Sequence, residues 1–178
     1  MNAAAVRIEN LAPLRVASFR AVSSTPEQDA WDKLQRWAGP KGLLRDLSAH
    51  PVFGFNSPTP VRGDPEYGYE FWIGVGPDAQ SEEGGEVKNF AGGLFAVTTC
   101  KLQDDPQGRL RDVWTRLWEF SQSGLYRWRP THELERPHNP QARPEEMVLD
   151  LLLPIAVRGE DATPGAQHPL PTLQVTPR

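Results

Sequence analysis

The 178-residue chain has a single cysteine, so no disulfide can form within it. Cys100 stands in a strand-like run, where a lone thiol serves as a small apolar side chain in a reducing compartment. No stretch approaches the roughly 20 apolar residues that span a bilayer, and the N-terminus has no apolar leader region, so a cytoplasmic protein that enters no membrane is expected. Positive charge is not in excess either: 19 Lys and Arg face 23 Asp and Glu, for a net charge of -4. That balance argues against direct nucleic-acid binding, which draws on surplus Lys and Arg. Cofactor signatures are equally scarce. His132 and His138 lack the spacing of a metal site, and Gly92-Gly93 is followed by neither a helix start nor a Lys-Ser/Thr pair, so neither a metal nor a cofactor is expected.

What is present is an internal copy. Leu14-Arg15-Val16-Ala17-Ser18-Phe19 recurs as Leu94-Phe95-Ala96-Val97-Thr98-Thr99, and the stripe Trp31, Leu34, Trp37 recurs as Trp114, Leu117, Phe120. Pro51 to Pro58 recurs around Thr131 to Pro137, and Tyr69-Glu70-Phe71-Trp72-Ile73 recurs as Leu149-Asp150-Leu151-Leu152-Leu153. Four elements in one order at a nearly constant offset indicate two β-α-β-β units, spanning about 4–76 and 86–156. The expected fold class is α+β: one domain over 1–157, with a curved antiparallel sheet, two helices on one face and a ligand cleft on the other. The Pro-rich stretch 158–178 reads as a tail, disordered or pinned to the surface.

Local signals place the elements. Thr25-Pro26-Glu27 starts a helix that Gly39-Pro40 stops, and Gln107 to Ser123 keeps a 3.6-residue apolar period up to Gly124. Trp31, Trp37, Trp114 and Trp118 sit on these helical stripes and read as core. Period-two alternation sends Tyr69, Phe71 and Ile73 to one face of their strand and Glu70 and Trp72 to the other. The same rule separates His132 and Leu134 from Glu133 and Glu135, and Leu149, Leu151 and Leu153 from Asp150 and Leu152. If each helix covers the purely apolar faces, Glu70, Trp72, Glu133, Glu135 and Asp150 line the cleft. The cluster Tyr126-Arg127-Trp128-Arg129 can stack on a flat ligand, and it equally suits cation-π packing at the start of a strand. Gly76 to Gly85 reads as the acidic linker between copies.

The chain resembles the GyrI-like small-molecule-binding domains, also found as effector-binding domains of multidrug-sensing bacterial regulators. The resemblance runs over about residues 5–156. It is carried by Tyr69-Glu70-Phe71-Trp72-Ile73-Gly74-Val75, Phe90-Ala91-Gly92-Gly93-Leu94-Phe95-Ala96-Val97, Leu117-Trp118, Ser123-Gly124-Leu125-Tyr126, His132-Glu133-Leu134 and Leu149 to Ile155. It implies the duplicated fold above, with a pocket whose central carboxylate comes from the strand before the last, at Glu133. Trp72, Tyr126 and Trp128 are then the aromatic walls, with Tyr67 and Phe53 behind them, and Glu70 is a further ligand-binding candidate that reads equally as a salt-bridged rim residue. The implied ligands are hydrophobic, aromatic or cationic small molecules, sensed or sequestered by a stand-alone module, since the unit begins within ten residues of Met1. The resemblance leaves two other functions open. One is hydrolysis of cyclopropane-containing DNA-alkylating natural products with Glu133 as the catalytic acid, and the other is modulation of a gyrase-like protein partner, for which Glu82, Glu83 and Glu86 offer an acidic patch.

Overall fold

A computed structural model of the protein describes residues 5–61, 63–82, 84–103 and 105–159. The expected C-terminal tail lies, from residue 160 onward, outside the described residues. Nine strands form one antiparallel sheet: β1 (Arg7–Leu11), β2 (Leu14–Ser23), β3 (Val52–Asn56), β4 (Tyr67–Gly74), β5 (Glu86–Phe90), β6 (Gly93–Lys101), β7 (Tyr126–Trp128), β8 (Leu134–Pro137) and β9 (Val148–Val157). Helix α1 (Pro26–Ala38) follows β2, and α2 (Pro106–Gln122) follows β6. Both helices begin on a proline whose missing N–H costs nothing in the first turn, and Asp105 caps α2 by accepting from the Gly108 N–H at 3.0 Å. No helix among the described residues is long and apolar enough to cross a membrane.

The sheet order β1-β6-β9-β8-β3-β4-β2-β5 reads the same from both ends once the copies are matched. One unit contributes β2, β3 and β4 with α1; the other contributes β6, β8 and β9 with α2. They meet at the β3–β8 pairing, Gly54 opposite Glu135. The lead strands are exchanged: β1 precedes β2 in the chain but pairs with β6, and β5 precedes β6 but pairs with β2. The run Val87 to Leu102 is therefore two strands, broken at Gly92 and Gly93, which have φ of 69° and 119°. Strand pairing also refines the alignment of the copies. Gly54–Phe71–Phe19 across one half corresponds to Glu135–Leu151–Thr98 across the other, so Gly54 and Glu135 occupy equivalent places beside the pseudo-twofold axis.

Both helices pack on the same face. Leu34 of α1 and Leu117 of α2 are wholly buried, each against its own half of the sheet. On the helix-free face the curled sheet closes over an aromatic cluster of its own: Phe53, Phe55, Trp72, Phe90 and Phe95 around Leu134 and Leu152.

Candidate ligand cleft

The strands' faces follow the alternation expected, but the acids divide between the two faces. Glu70 and Asp150 lie on the helix-free side, each satisfied by local partners. Glu70 Oε1 accepts from Ser18 Oγ at 2.6 Å, Trp72 Nε1 at 2.7 Å and Lys88 Nζ at 2.8 Å. Burial alone would raise its pKa, but these hydrogen bonds, led by Lys88, hold it below the usual carboxylate range. Asp150 occupies the matching position in the second half. Its Oδ2 accepts from Arg7 and Arg136 at 2.7 Å and lies 2.9 Å from His138 Nε2, and its Oδ1 accepts from Thr99 at 2.7 Å. Burial again opposes ionisation, and the four donors outweigh it, so the carboxylate stays charged far into acid.

Glu135 is on the helix side, because β8 turns Leu134 into the helix-free cluster and its neighbours to the opposite face. A cleft of about 800 Å³ opens there between α1 and α2. Its floor is Glu135 of β8 with Tyr69 and Phe71 of β4. Glu27, Gln28, Trp31 and Gln35 of α1 form one wall, and Leu102, Leu110, Met147 and Leu149 form the other. Tyr69 donates its hydroxyl to Glu135 Oε2 at 2.8 Å. Any side chain at Gly54 would collide with the Tyr69 hydroxyl and the Phe71 ring, so the glycine is what lets the phenol lie across the axis to reach the acid. The carboxyl meets the cleft through part of its surface but is surrounded by protein. Desolvation pushes its pKa up to about 7; the Tyr69 hydrogen bond opposes the shift and the charge of Glu27 adds to it. Burial and the neighbouring Glu135 likewise raise the Tyr69 phenol well above its ordinary value. At the rim, Tyr67 donates to both oxygens of Glu27 at 2.8 Å. Among the described residues no Lys or Arg lines the cleft.

The residues anticipated for a site separate in space. Trp72, Glu70 and Phe53 belong to the helix-free face, where Phe53 packs on Phe90 at 6.2 Å between ring centroids and His132 covers Trp72 at 5.3 Å. Tyr126 and Trp128 pack against α2, on Phe120 at 5.8 Å and Trp118 at 6.0 Å. Glu133 precedes β8. Burial raises its pKa, and the nearby Trp128 indole opposes the shift, although that buried N–H makes no well-formed hydrogen bond among the described residues. Of the anticipated residues, Glu135 forms the floor of the cleft and Tyr67 reaches its rim through Glu27. This cleft opens on the helix side, over the β3–β8 seam, whereas the face behind it carries its own cluster of aromatic rings.

Sequence reasoning passed over Trp31, Tyr69, Phe71 and Glu27. Trp31 is both helix stripe and cleft wall, with its ring edge-on to Phe71 at 5.4 Å. Tyr69 carried a usable signal: with Tyr67 at the strand's start it places a hydroxyl on a face otherwise formed by Phe71 and Ile73, and a buried phenol needs an acceptor.

The family model of the GyrI-like small molecule binding domain matches residues 4–156 of the chain, and the chain belongs to that family. It is thus a small-molecule-binding domain by family. Among solved structures the EcmrR C-terminal domain superposes with a TM-score of 0.62 at 12% identity, covering 86% of this chain and 98% of that one. In the EcmrR–DNA complex the match, again at 0.62 with 13% identity, covers 85% of this chain but only 57% of the longer EcmrR chain. A hydrolase from Listeria innocua gives 0.57 at 13% identity over 85% of this chain and 91% of that one. SAV2435 bound to tetraphenylphosphonium gives 0.51 at 13% identity over 85% and 94%. At these identities the likeness is one of fold. No curated protein matches the chain.

Proposed function

We propose that the cleft between α1 and α2 binds hydrophobic, aromatic or cationic small molecules, with Glu135 as the central carboxyl, in a sensing or sequestering role. The observation that carries this reading is the composition of the cleft: two acids, Glu27 and Glu135, aromatic and aliphatic walls, and no basic side chain among the described residues. A partly desolvated carboxyl without a counter-ion gains most from a ligand that brings a positive charge to it. Trp31 and Phe71 supply faces for a flat or cationic partner, each worth about 0.5 to 2 kcal/mol. Tetraphenylphosphonium, the ligand of the structurally similar SAV2435, is a suitable probe. Binding followed by tryptophan quenching should weaken about tenfold or more in Glu135→Gln, the equivalent of about 1.4 kcal/mol. Unchanged affinity in a folded variant would remove Glu135 from the site.

One observation favours a second, hydrolytic reading. A carboxyl with a pKa of about 7, hydrogen-bonded to a phenol, is matched to general acid–base work near neutral pH. On a cyclopropane-bearing electrophile, ionised Glu135 takes the proton of a water whose oxygen attacks a ring carbon. The strained C–C bond breaks, and its electron pair is taken up by the conjugated carbonyl, whose oxygen is then protonated. Incubation with a duocarmycin-type compound should yield its water adduct by mass spectrometry, and the adduct should be lost in Glu135→Gln. Recovery of the bound compound unchanged over hours leaves binding alone.

A further inference from the structure

A second groove lies at the other end of the molecule from the β3–β8 seam. β4 flanks β2 from Val16 to Ser23, whereas β5 covers it only from Leu14 to Ser18, so the last five residues of β2 have one open edge among the described strands. A groove of about 500 Å³ occupies this notch, between the strand edge, the solvent side of α1 and the chain around Gly84. Arg20, Lys33 and Arg36 line it, and none of the three forms an ion pair among the described residues. Each is set by a backbone carbonyl instead: Arg20 Nε donates to Ser57 O at 2.6 Å, Lys33 Nζ to Arg20 O at 2.7 Å and Arg36 Nε to Asp32 O at 3.2 Å. Anchoring through Nε leaves the terminal nitrogens of both guanidinium groups without an acceptor among the described residues. The acid on the groove, Glu86, already lies 3.4 Å from Lys88 Nζ.

The fourth element is Trp37, which lines the groove while its indole N–H is buried without an acceptor among the described residues. That N–H faces Gly85, where a Cβ would approach it to 3.1 Å. Solvated surfaces of an acidic chain interleave both signs of charge, and three cations around one notch repel each other unless an anion joins them. Charged side chains at an open strand edge also guard against pairing with another chain, which accounts for Arg20 on β2 and for Lys33 of α1 laid against it, but for neither Arg36 nor the indole.

We propose that this notch binds a small organic anion through its phosphate or carboxylate groups, as a site separate from the cleft at Glu135. The forked guanidinium groups suit planar or tetrahedral oxyanions through paired charge-assisted hydrogen bonds. The test is calorimetric titration at constant ionic strength with inorganic pyrophosphate and with citrate, on the full chain and on Lys33→Met/Arg36→Met, both positions being solvent-exposed. Saturable binding of either probe, weakened about tenfold or more in the double variant with tetraphenylphosphonium binding unchanged, supports the site. A response to pyrophosphate alone assigns it to phosphates, and a response to citrate alone to carboxylates. A shift of the Trp37 indole N–H resonance, identified by its loss in Trp37→Phe, should accompany binding. No saturable heat, equal binding by the double variant, the same response to chloride, or binding confined to an acidic peptide would each overturn the proposal.

Discussion

Two acids on opposite faces of one sheet, Asp150 buried and Glu135 partly open to the cleft, are in opposite states. Asp150, on the helix-free face, is ringed by Arg7, Arg136, His138 and Thr99 and is held ionised far into acid. Glu135, on the helix face, has among the described residues only the Tyr69 hydroxyl as a hydrogen-bond partner and is pushed up to about 7. Glu70 repeats the Asp150 solution in the other half, with Lys88 as its cation. Where the fold supplies the counter-charge itself, the acid ties strands together and is closed to ligands. Where it withholds the counter-charge and leaves a cleft, the acid becomes the place that a ligand can complete.

The comparison is most easily broken at Asp150. Asp150→Ala removes a buried carboxylate that accepts from Arg7, Arg136 and Thr99, and since the arginines left behind are partly open to solvent the loss should be about 2 to 3 kcal/mol. Urea unfolding should show that loss, and a cost below 1 kcal/mol would mean that the Asp150 cluster is not structural. Glu135→Gln should act in the other direction. The folded protein keeps the Glu135 proton up to about pH 7 while the unfolded chain releases it near 4.5, so this group's contribution to stability is intact below 4.5 and falls as pH rises to 7. The glutamine variant should therefore be more stable than the parent by about 1 to 2 kcal/mol at pH 8, after allowing for the carboxyl's access to the cleft, and no more stable at pH 4. A pH-independent difference in melting temperature would contradict the raised pKa.

Ligand binding sharpens the same contrast. A cation that needs the ionised carboxylate must displace its proton, so affinity for tetraphenylphosphonium should drop about tenfold from pH 8 to pH 6 in the parent and stay flat in Glu135→Gln. A flat parent profile would show that the cation is held elsewhere in the cleft. The smallest effect is expected from Glu133→Gln. Because Glu133 lies by Trp128 and not in the cleft, the change in probe affinity should stay within about twofold, and a larger loss by fluorescence titration would return Glu133 to the site.

Much of the fold was legible because both of its periodicities are clean. The stripes at Leu34 and Leu117 and the alternation at Tyr69 to Ile73 each point to one buried face, and the repetition at a constant offset indicated a pseudo-twofold domain. The site was less legible because alternation tells which residues share a face but not which face the helices cover. In β4 and β9 the apolar set meets the helices, whereas in β8 Leu134 turns away from them and Glu135 turns toward them. β8 has four residues, too few for its pattern to declare a side. The exchange of β1 and β5 between halves was equally hidden, since the chain order of those strands says nothing about which partner each crosses to.

The pairing of Gly54 with Glu135 has an evolutionary consequence. An assembly of two identical chains would place the same residue on both sides of its axis. Two glycines there would leave no acid at all. Two glutamates in directly opposed positions, with Cα atoms about 5 Å apart, would repel and share a proton, and neither would have a tyrosine free to cross the axis. Only when both halves are written into one polypeptide can one mutate without the other, so that the axis holds a single carboxyl on one side and, on the other, the empty space its phenol partner occupies. Covalent fusion of the repeats is thus what permits this site to be asymmetric at the one point where symmetry would otherwise forbid it.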